Sequence, residues 1–282
     1  KKMIGFSTKL RTLSGAFALF VDDKFNYEDG KNCLSKSLKL KVDAFIKVIK
    51  DSKTENKIFS FDISEKTKCF LVKYTKREKY NYFEDVGASF FSYQNNFKNI
   101  NKIDLYVDSL NKERVKIIDF ITKFLHGFNL KSYSFNKYKT SNIKKKKVDL
   151  NLITSLKAEI NNQYKYFDAL EKGVFLTRDL VSEPPNILNP EKYVQEIKKL
   201  SKLGLKISVY NEAKMKKMGM NAILGVGEGS TKESYLVVIE WFGKKNSKSN
   251  PLAFVGKGVC FDTGGISLKP ARFMEEMKYD MA

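Results

Sequence analysis

Histidine and cysteine, the side chains that serve most metal and nucleophilic sites, are scarce in this 282-residue sequence. His126 is the only histidine, which excludes a histidine-based catalytic triad and a histidine-rich metal site. The three cysteines, Cys33, Cys69 and Cys260, lie far apart and lack the close spacing of a structural zinc site or a disulfide framework. We therefore expect a reducing compartment.

Long hydrophobic runs are also missing. No stretch approaches the ~20 apolar residues that cross a bilayer, and the first residues lack the apolar core of a signal peptide. Hydrophobic residues nevertheless make up 42% of the chain, and this length can hold two domains that each bury a core. We predict a globular, cytoplasmic protein without a membrane partner.

Acidic residues are few beside the basic ones, 32 against 52, which gives a formal net charge of +20. Such an excess favours nucleic acid or an anionic surface as a partner. Most of the basic residues are lysines spread along the whole chain, so a biased genome explains them as well as a binding surface does. Nucleic-acid binding stays open as an alternative. The four lysines at 144–147, without interleaved aromatics, predict a solvated loop.

The first half alternates strand-like and helix-like patterns, which predicts an α/β domain. Three short apolar runs have the content of strands, and residues 103–107 alternate as a strand does before a helical pattern that spans Val115 to Leu125. His126 and Gly127 follow at the predicted end of that helix, where we expect the histidine to cap. The three apolar runs are residues 15–21, 57–62 and 69–74.

The second half predicts a connecting helix over 155–181, stopped by Pro184-Pro185, and a second α/β domain with a largely covered sheet. Asn189-Pro190 begins a further helix that Gly204 ends. The predicted strands are 205–210, 222–226, 235–241 and 252–255, the last of them central, and a short helix covers 211–218. We place the domain boundaries at 1–152, 153–182 (the connecting helix) and 183–282.

The strongest concentration of chemistry follows residues 252–255. A glycine-rich turn places Lys257, Asp262 and Lys269 at the carboxyl end of a predicted buried strand, and Asp280 follows shortly after; open α/β sheets build sites at that edge. The spacing of a phosphate-binding loop is absent, because Lys257 precedes most of the glycines. A tight turn with surface charges is the bland alternative.

The string Gly256-Lys-Gly-x-x-Phe-Asp262-x-Gly-Gly265-x-x-x-Lys269-Pro270, followed by Met277-Lys-x-Asp280-Met, resembles the first catalytic block of the leucyl (cytosol) aminopeptidase family. Three upstream segments support the resemblance, which covers roughly residues 120 to 282. They are Arg178-Asp-Leu-Val-x-x-Pro184-x-Asn186-x-x-x-Pro190, Gly219-Met220 leading into Gly225-Val-Gly-x-Gly229-Ser230, and Tyr133-x-Phe135-x-Lys137-Tyr-Lys-Thr140.

The resemblance implies a role for each residue of this block. Lys257, Asp262 and Asp280 would be metal ligands, and Asp262 would bridge two divalent ions, Mn²⁺ or Zn²⁺. Lys269 would be catalytic, polarising the scissile carbonyl while the metal pair activates water. Lys257, Asp262 and Met277 would also contact the substrate; for Met277 an ordinary core position is an equal alternative.

One block of the family is missing. No Asn-Thr-Asp-Ala-Glu-Gly-Arg string, which would supply further carboxylates and an arginine associated with bicarbonate, occurs here. We therefore expect a C-terminally truncated fragment of a family member, inactive by itself. The parent would release leucine and other apolar N-terminal residues from peptides and assemble as a homo-hexamer. A non-enzymatic nucleic-acid-binding protein and a structural relic on the same fold are the alternatives.

For the fold, the resemblance implies an α/β protein with two parts. The N-terminal part would be a macro-domain-like α/β domain. The C-terminal part would be the beginning of a zinc-peptidase-like α/β catalytic domain with a mixed central sheet.

Overall fold

The computed structural model describes residues 4–8, 15–30, 32–52, 55–75, 81–113, 115–140, 147–243 and 250–281. The chain divides into two compact units, Lys1–Phe175 (unit 1) and Leu176–Ala282 (unit 2). This division falls within a long helix, so the predicted boundaries at residues 152 and 182 stay a proposal. In the described ranges, no helix is long and apolar enough to cross a membrane.

Unit 1 is a mixed α/β structure around a six-stranded sheet of order β1-β6-β5-β2-β4-β3. All neighbouring pairs are parallel except the antiparallel pair β3–β4, so the predicted α/β fold class is confirmed. The strands are β1 (Ile4–Ser7), β2 (Gly15–Val21), β3 (Ile58–Ser64), β4 (Thr67–Lys73), β5 (Lys102–Tyr106) and β6 (Asp149–Ile153). The helices are α1 (Lys36–Asp51), α2 (Tyr82–Gln94), α3 (Ile117–Lys131) and α4 (Lys157–Ser182).

The core of unit 1 lies on both faces of β2. Every residue of β2 after Gly15 is buried. This agrees with its sequence, which is apolar throughout, as is typical of a parallel strand that is covered on both faces. Val42 and Ile46 of α1 pack with Phe17 and Leu19 on one face, whereas α2 and α3 cover the other face with an aromatic cluster around Phe20.

Two glycines let α2 and α3 cross closely. A Cβ added to Gly127 of α3 would lie 1.9 Å from the carbonyl oxygen of Glu84, and one added to Gly87 of α2 would lie 1.9 Å from that of Phe124. Both distances are far below van der Waals contact, so only glycine permits this backbone approach.

The connections that follow β2 and β5 lead to opposite sides of the sheet. From β2 the chain passes through α1 to β3 and β4 on one side, whereas from β5 it passes through α3 to β6 on the other side. Neighbouring parallel strands whose connections leave in opposite directions form a topological switch point, and a crevice opens there at their carboxyl ends.

Unit 2 contains the end of α4, three short helices and a two-stranded antiparallel sheet, β7–β8. The side chain of Asn189 caps α5 by accepting a hydrogen bond from the backbone N–H of Lys192 at 3.1 Å, and Gly204 ends the following 3₁₀ turn with φ +85°, as predicted. The elements are α5 (Pro190–Lys198), a 3₁₀ turn (Lys199–Leu203), β7 (Lys206–Tyr210), α6 (Glu212–Lys217), α7 (Asn221–Gly227), β8 (Leu236–Glu240) and a 3₁₀ helix (Met274–Met281).

Two strand predictions in unit 2 are wrong, and the predicted covering of its sheet is wrong as well. Residues 222–226 are helical, within α7; short apolar runs do not distinguish helix from strand by periodicity. The predicted covered sheet is instead β7 paired with β8, with Val238 and Ile239 exposed. Residues 252–255 form no strand, and Val255 is fully exposed, because a strand requires hydrogen-bonded neighbours and the described part of unit 2 offers none to this segment.

The lysine run at 144–147 is described only at Lys147. The other three lysines of the predicted loop lie outside the described residues.

Candidate metal-binding site

The glycine-rich turn is closed by hydrogen bonds to the aspartate at its centre and across its base. The backbone N–H of Gly264 donates to Oδ1 of Asp262 at 2.8 Å, and the N–H of Lys269 donates to the carbonyl of Thr263 at 2.8 Å. Gly264 has φ +96°, and a Cβ there would lie 2.4 Å from the carbonyl oxygen of Ser267. Glycine is therefore required at 264 by conformation and by space.

Four charged side chains of the motif meet in two ion pairs. Nζ of Lys269 lies 3.2 Å from Oδ2 of Asp262, and Nζ of Lys257 contacts Oδ2 of Asp280. Lys257 also contributes, as the smallest cause, to a lowered pKa of Asp262. Residues up to 23 positions apart are thus brought together, as the motif predicts.

The surroundings of Asp262 favour its ionised form. The backbone hydrogen bond from Gly264 is the largest cause, and the hydrogen bond from Lys269 the next, of a pKa below the usual value of the aspartate. Charge-assisted hydrogen bonds to the carboxylate stabilise its anion. A metal ligand must be deprotonated, so the turn prepares Asp262 for that role.

The donor set fits a divalent cation in kind and charge. Carboxylate oxygens suit Zn²⁺, Mn²⁺ or Mg²⁺, and an amine nitrogen ligates once it has lost its proton. In the described residues, no three histidine, cysteine, aspartate or glutamate side chains form a metal-binding group. Lys257, Asp262 and Asp280 alone would therefore undersupply two ions, and their role as ligands stays a prediction.

Met277 lies in the final 3₁₀ helix, Met274–Met281, and is partly buried. Its position between the turn and Asp280 along the chain is compatible with the predicted substrate contact, which stays a prediction.

Cys260, two residues before Asp262, is the feature that sequence reasoning did not connect to this segment. Its side chain is buried against Leu188, with Leu180 and Tyr193 packed around them, and burial raises the pKa of the thiol to about 11. This apolar contact thus joins the segment to the rest of unit 2, beside a turn that is otherwise exposed. Cys260 is a small hydrophobic side chain here.

The prediction that His126 lies at the end of a helix is wrong. The residue lies inside α3, which continues to Lys131. Gly127 was the misleading signal, because this glycine serves the approach of α2 and not the end of α3. Nδ1 of His126 lies 3.0 Å from Oε1 of Glu171, and both side chains are buried.

The carboxylate of Glu171 has two further partners. The hydroxyl of Tyr164 donates to Oε1 at 2.6 Å, and Nδ2 of Asn129 donates to Oε2 at 3.2 Å. Burial first, and the charge of Glu171 next, raise the pKa of Tyr164 above its usual value. This cluster joins α3 to α4 within unit 1.

The C-terminal part of the chain is similar to cytosol aminopeptidases. Residues 175–282 match the family model described as cytosol aminopeptidase family, catalytic domain. A probable cytosol aminopeptidase of Caulobacter vibrioides is 46% identical over 158 residues, which cover 55% of this chain and 32% of that protein. One from Phytoplasma mali is 46% identical over 166 residues, covering 57% of this chain and 33% of that protein.

Residues 175–282 thus match the catalytic domain of the cytosol aminopeptidase family. Its matched region spans about a third of the length of these relatives.

Solved structures show that the likeness to cytosol aminopeptidases extends to the fold of the whole chain. A tomato leucine aminopeptidase mutant has a TM-score of 0.73 at 19% identity and covers 99% of this chain, which corresponds to 57% of that protein. A cytosol aminopeptidase from Coxiella burnetii gives 0.69 at 20% identity, with 99% and 54% covered. The bottromycin maturation enzyme BotP in complex with Mn gives 0.68 at 19%, with 95% and 53% covered.

Proposed function

We propose that the natural protein carrying this sequence is a metal-dependent aminopeptidase that removes leucine and other apolar residues from the amino terminus of peptides. The observation that carries the proposal is that the four charged residues of the motif form two ion pairs, Lys257 with Asp280 and Lys269 with Asp262. Drift has no reason to spare four charged residues at this spacing, and the match of residues 175–282 to the cytosol aminopeptidase family supports the same reaction.

Lys257, Asp262 and Asp280 would hold metal, with further ligands from outside these residues. A divalent pair supplies Lewis acidity and a nucleophilic water at neutral pH. Asp262 is held ionised by the turn that surrounds it. The similar structure of BotP is a complex with Mn, which supports Mn²⁺ beside Zn²⁺ as the ion.

Lys269 would orient the scissile carbonyl and stabilise the negative charge that develops on its oxygen. Its side chain is half-buried and already positioned by Asp262, so little reorganisation accompanies the reaction. Lys269 acts in this role as a cation.

The assembly and location of the protein are part of the proposal. The names of the relatives support a cytoplasmic enzyme. The resemblance to leucyl aminopeptidases supports a homo-hexamer, with bicarbonate as an additional group.

The activity is tested by incubating the natural protein with leucyl-p-nitroanilide and, as a matched control, with N-acetyl-leucyl-p-nitroanilide. Because an aminopeptidase binds the free amino group, we expect release of p-nitroaniline from the first compound and not from the second. Equal cleavage of both compounds would overturn the proposal, and so would cleavage of neither compound.

A further inference from the structure

Unit 1 contains a cavity of about 650 Å³ that the proposed peptidase chemistry does not use. This volume lies within the range of roughly 300–1,000 Å³ that is typical of sites for small molecules. All of its lining residues belong to unit 1, and none of them lies in the glycine-rich turn.

The cavity lies at the topological switch point of the sheet. Glu28 and Gly30 follow β2, the segment from Asp108 to Ile117 follows β5, and Ser155 follows β6. The three strands are parallel neighbours, so these loops meet at one carboxyl edge. Open α/β sheets bind ligands in that crevice.

The charge of the lining is opposite to that of the chain. Glu28, Asp108 and Glu113 line the cavity with Lys112 as the one basic residue among its described lining, although basic residues outnumber acidic ones by 52 to 32 overall. The described lining thus carries a net charge of about −2, which attracts organic cations and repels phosphates and nucleotides.

Two of the carboxylates are held by neighbouring side chains. Nδ2 of Asn111 donates to Oε1 of Glu28 at 2.8 Å, and the hydroxyl of Thr154 donates to Oδ1 of Asp108 at 2.6 Å. A carboxylate has about four acceptor positions, so Glu28 can accept from a ligand while Asn111 orients it.

Three of the other lining residues are apolar. Leu110 is 1% exposed, Ile117 is buried, and Leu156 is partly buried. An apolar surface between carboxylates matches a chain of methylene groups that carries an ammonium group at each end, since the methylenes pack on the leucines while the ammonium groups reach the carboxylates.

We propose that this cavity is a binding site for a linear di- or polyamine. The ammonium groups bind Glu28, Asp108 and Glu113, and the methylene chain lies against Leu110, Ile117 and Leu156. The proposal does not depend on the peptidase assignment, because unit 1 holds every residue that it uses.

Isothermal titration of the natural protein with putrescine and spermidine at about 0.15 M salt tests the site, because that ionic strength screens non-specific attraction. We expect saturable binding of both amines, none of 1,4-butanediol, which lacks the charges, and none of AMP. Glu28→Gln and Glu113→Gln should each weaken spermidine binding about tenfold.

Glu65→Gln is the matched control. It removes the same charge from the exposed turn between β3 and β4, which lies at the opposite edge of the sheet, and should leave the affinity unchanged. Circular dichroism confirms that each variant is folded. Absence of spermidine binding, equal binding of the diol, binding of AMP, or an equal loss in Glu65→Gln would each overturn the proposal.

Discussion

Replacing Lys269 with alanine lowers kcat for leucyl-p-nitroanilide about 10²–10³-fold in the natural protein, the usual cost of removing one stabiliser of an oxyanion. The side chain supplies a fixed positive charge next to Asp262, 3.2 Å away. Because the role belongs to the transition state, we expect the loss in kcat and only a small change in KM. Steady-state kinetics measure both quantities.

Arg272→Ala is the matched control for this prediction. It removes an exposed positive charge three residues further along the same segment and should leave kcat within about twofold, because its charge lies at the surface and is screened by solvent. Metal content separates the two explanations of a loss, since a purely structural effect of Lys269→Ala on Asp262 would release metal. An unchanged kcat in Lys269→Ala would contradict the assigned role.

Glu171→Ala should lower the free energy of unfolding by about 3–5 kcal/mol, the typical cost of removing one partner of a buried charged cluster. The substitution leaves Nδ1 of His126, the hydroxyl of Tyr164 and Nδ2 of Asn129 without the carboxylate that each contacts. It also leaves a cavity where α4 packs on α3. Urea denaturation followed by circular dichroism measures the difference.

Glu159→Ala controls for the loss of a glutamate from the same helix. Glu159 is exposed in the first turn of α4, so its replacement should change the free energy of unfolding by less than about 1 kcal/mol. If the two variants were equally stable, the buried cluster would contribute nothing beyond helix propensity.

The sequence predicts those elements of unit 1 whose pattern is complete within a short stretch. The run at 15–21 is apolar throughout, which identifies β2, and residues 103–107 alternate sufficiently to identify β5. In contrast, β1 has only four residues, and β6 directly follows a lysine-rich segment that predicts a loop, so the sequence does not identify either as a strand. Their parallel pairing with each other joins residues 146 positions apart, which periodicity cannot reveal.

The candidate metal site can be identified in the sequence because its charged residues occur at characteristic intervals. Lys257, Asp262, Lys269 and Asp280 occur at intervals that match a known family motif, and the positive φ of Gly264 agrees with the glycine that the motif requires. The absence of the expected strand before the turn could not be predicted, because residues 252–255 are apolar whether or not they have neighbours to pair with. Pairing depends on residues far away in the chain, and local pattern contains no such information.

The partnership of His126 and Glu171 could not be predicted either. The two residues lie 45 positions apart, and neither stands out within its own helix. Only the packing of α4 on α3 brings them together. The acidic cavity has the same origin, because its residues follow three separate strands that meet only in the folded sheet.

The metal content of the natural protein, measured by mass spectrometry after removal of loosely bound ions, tests the proposed function most sharply. We predict two divalent ions per chain, loss of at least one in Asp262→Asn, and loss of leucyl-p-nitroanilide hydrolysis with it, because a neutral amide is a poor ligand in place of a bridging carboxylate. Full hydrolysis by protein free of divalent metal, or an Asp262→Asn variant that keeps both ions and its activity, would contradict the proposal.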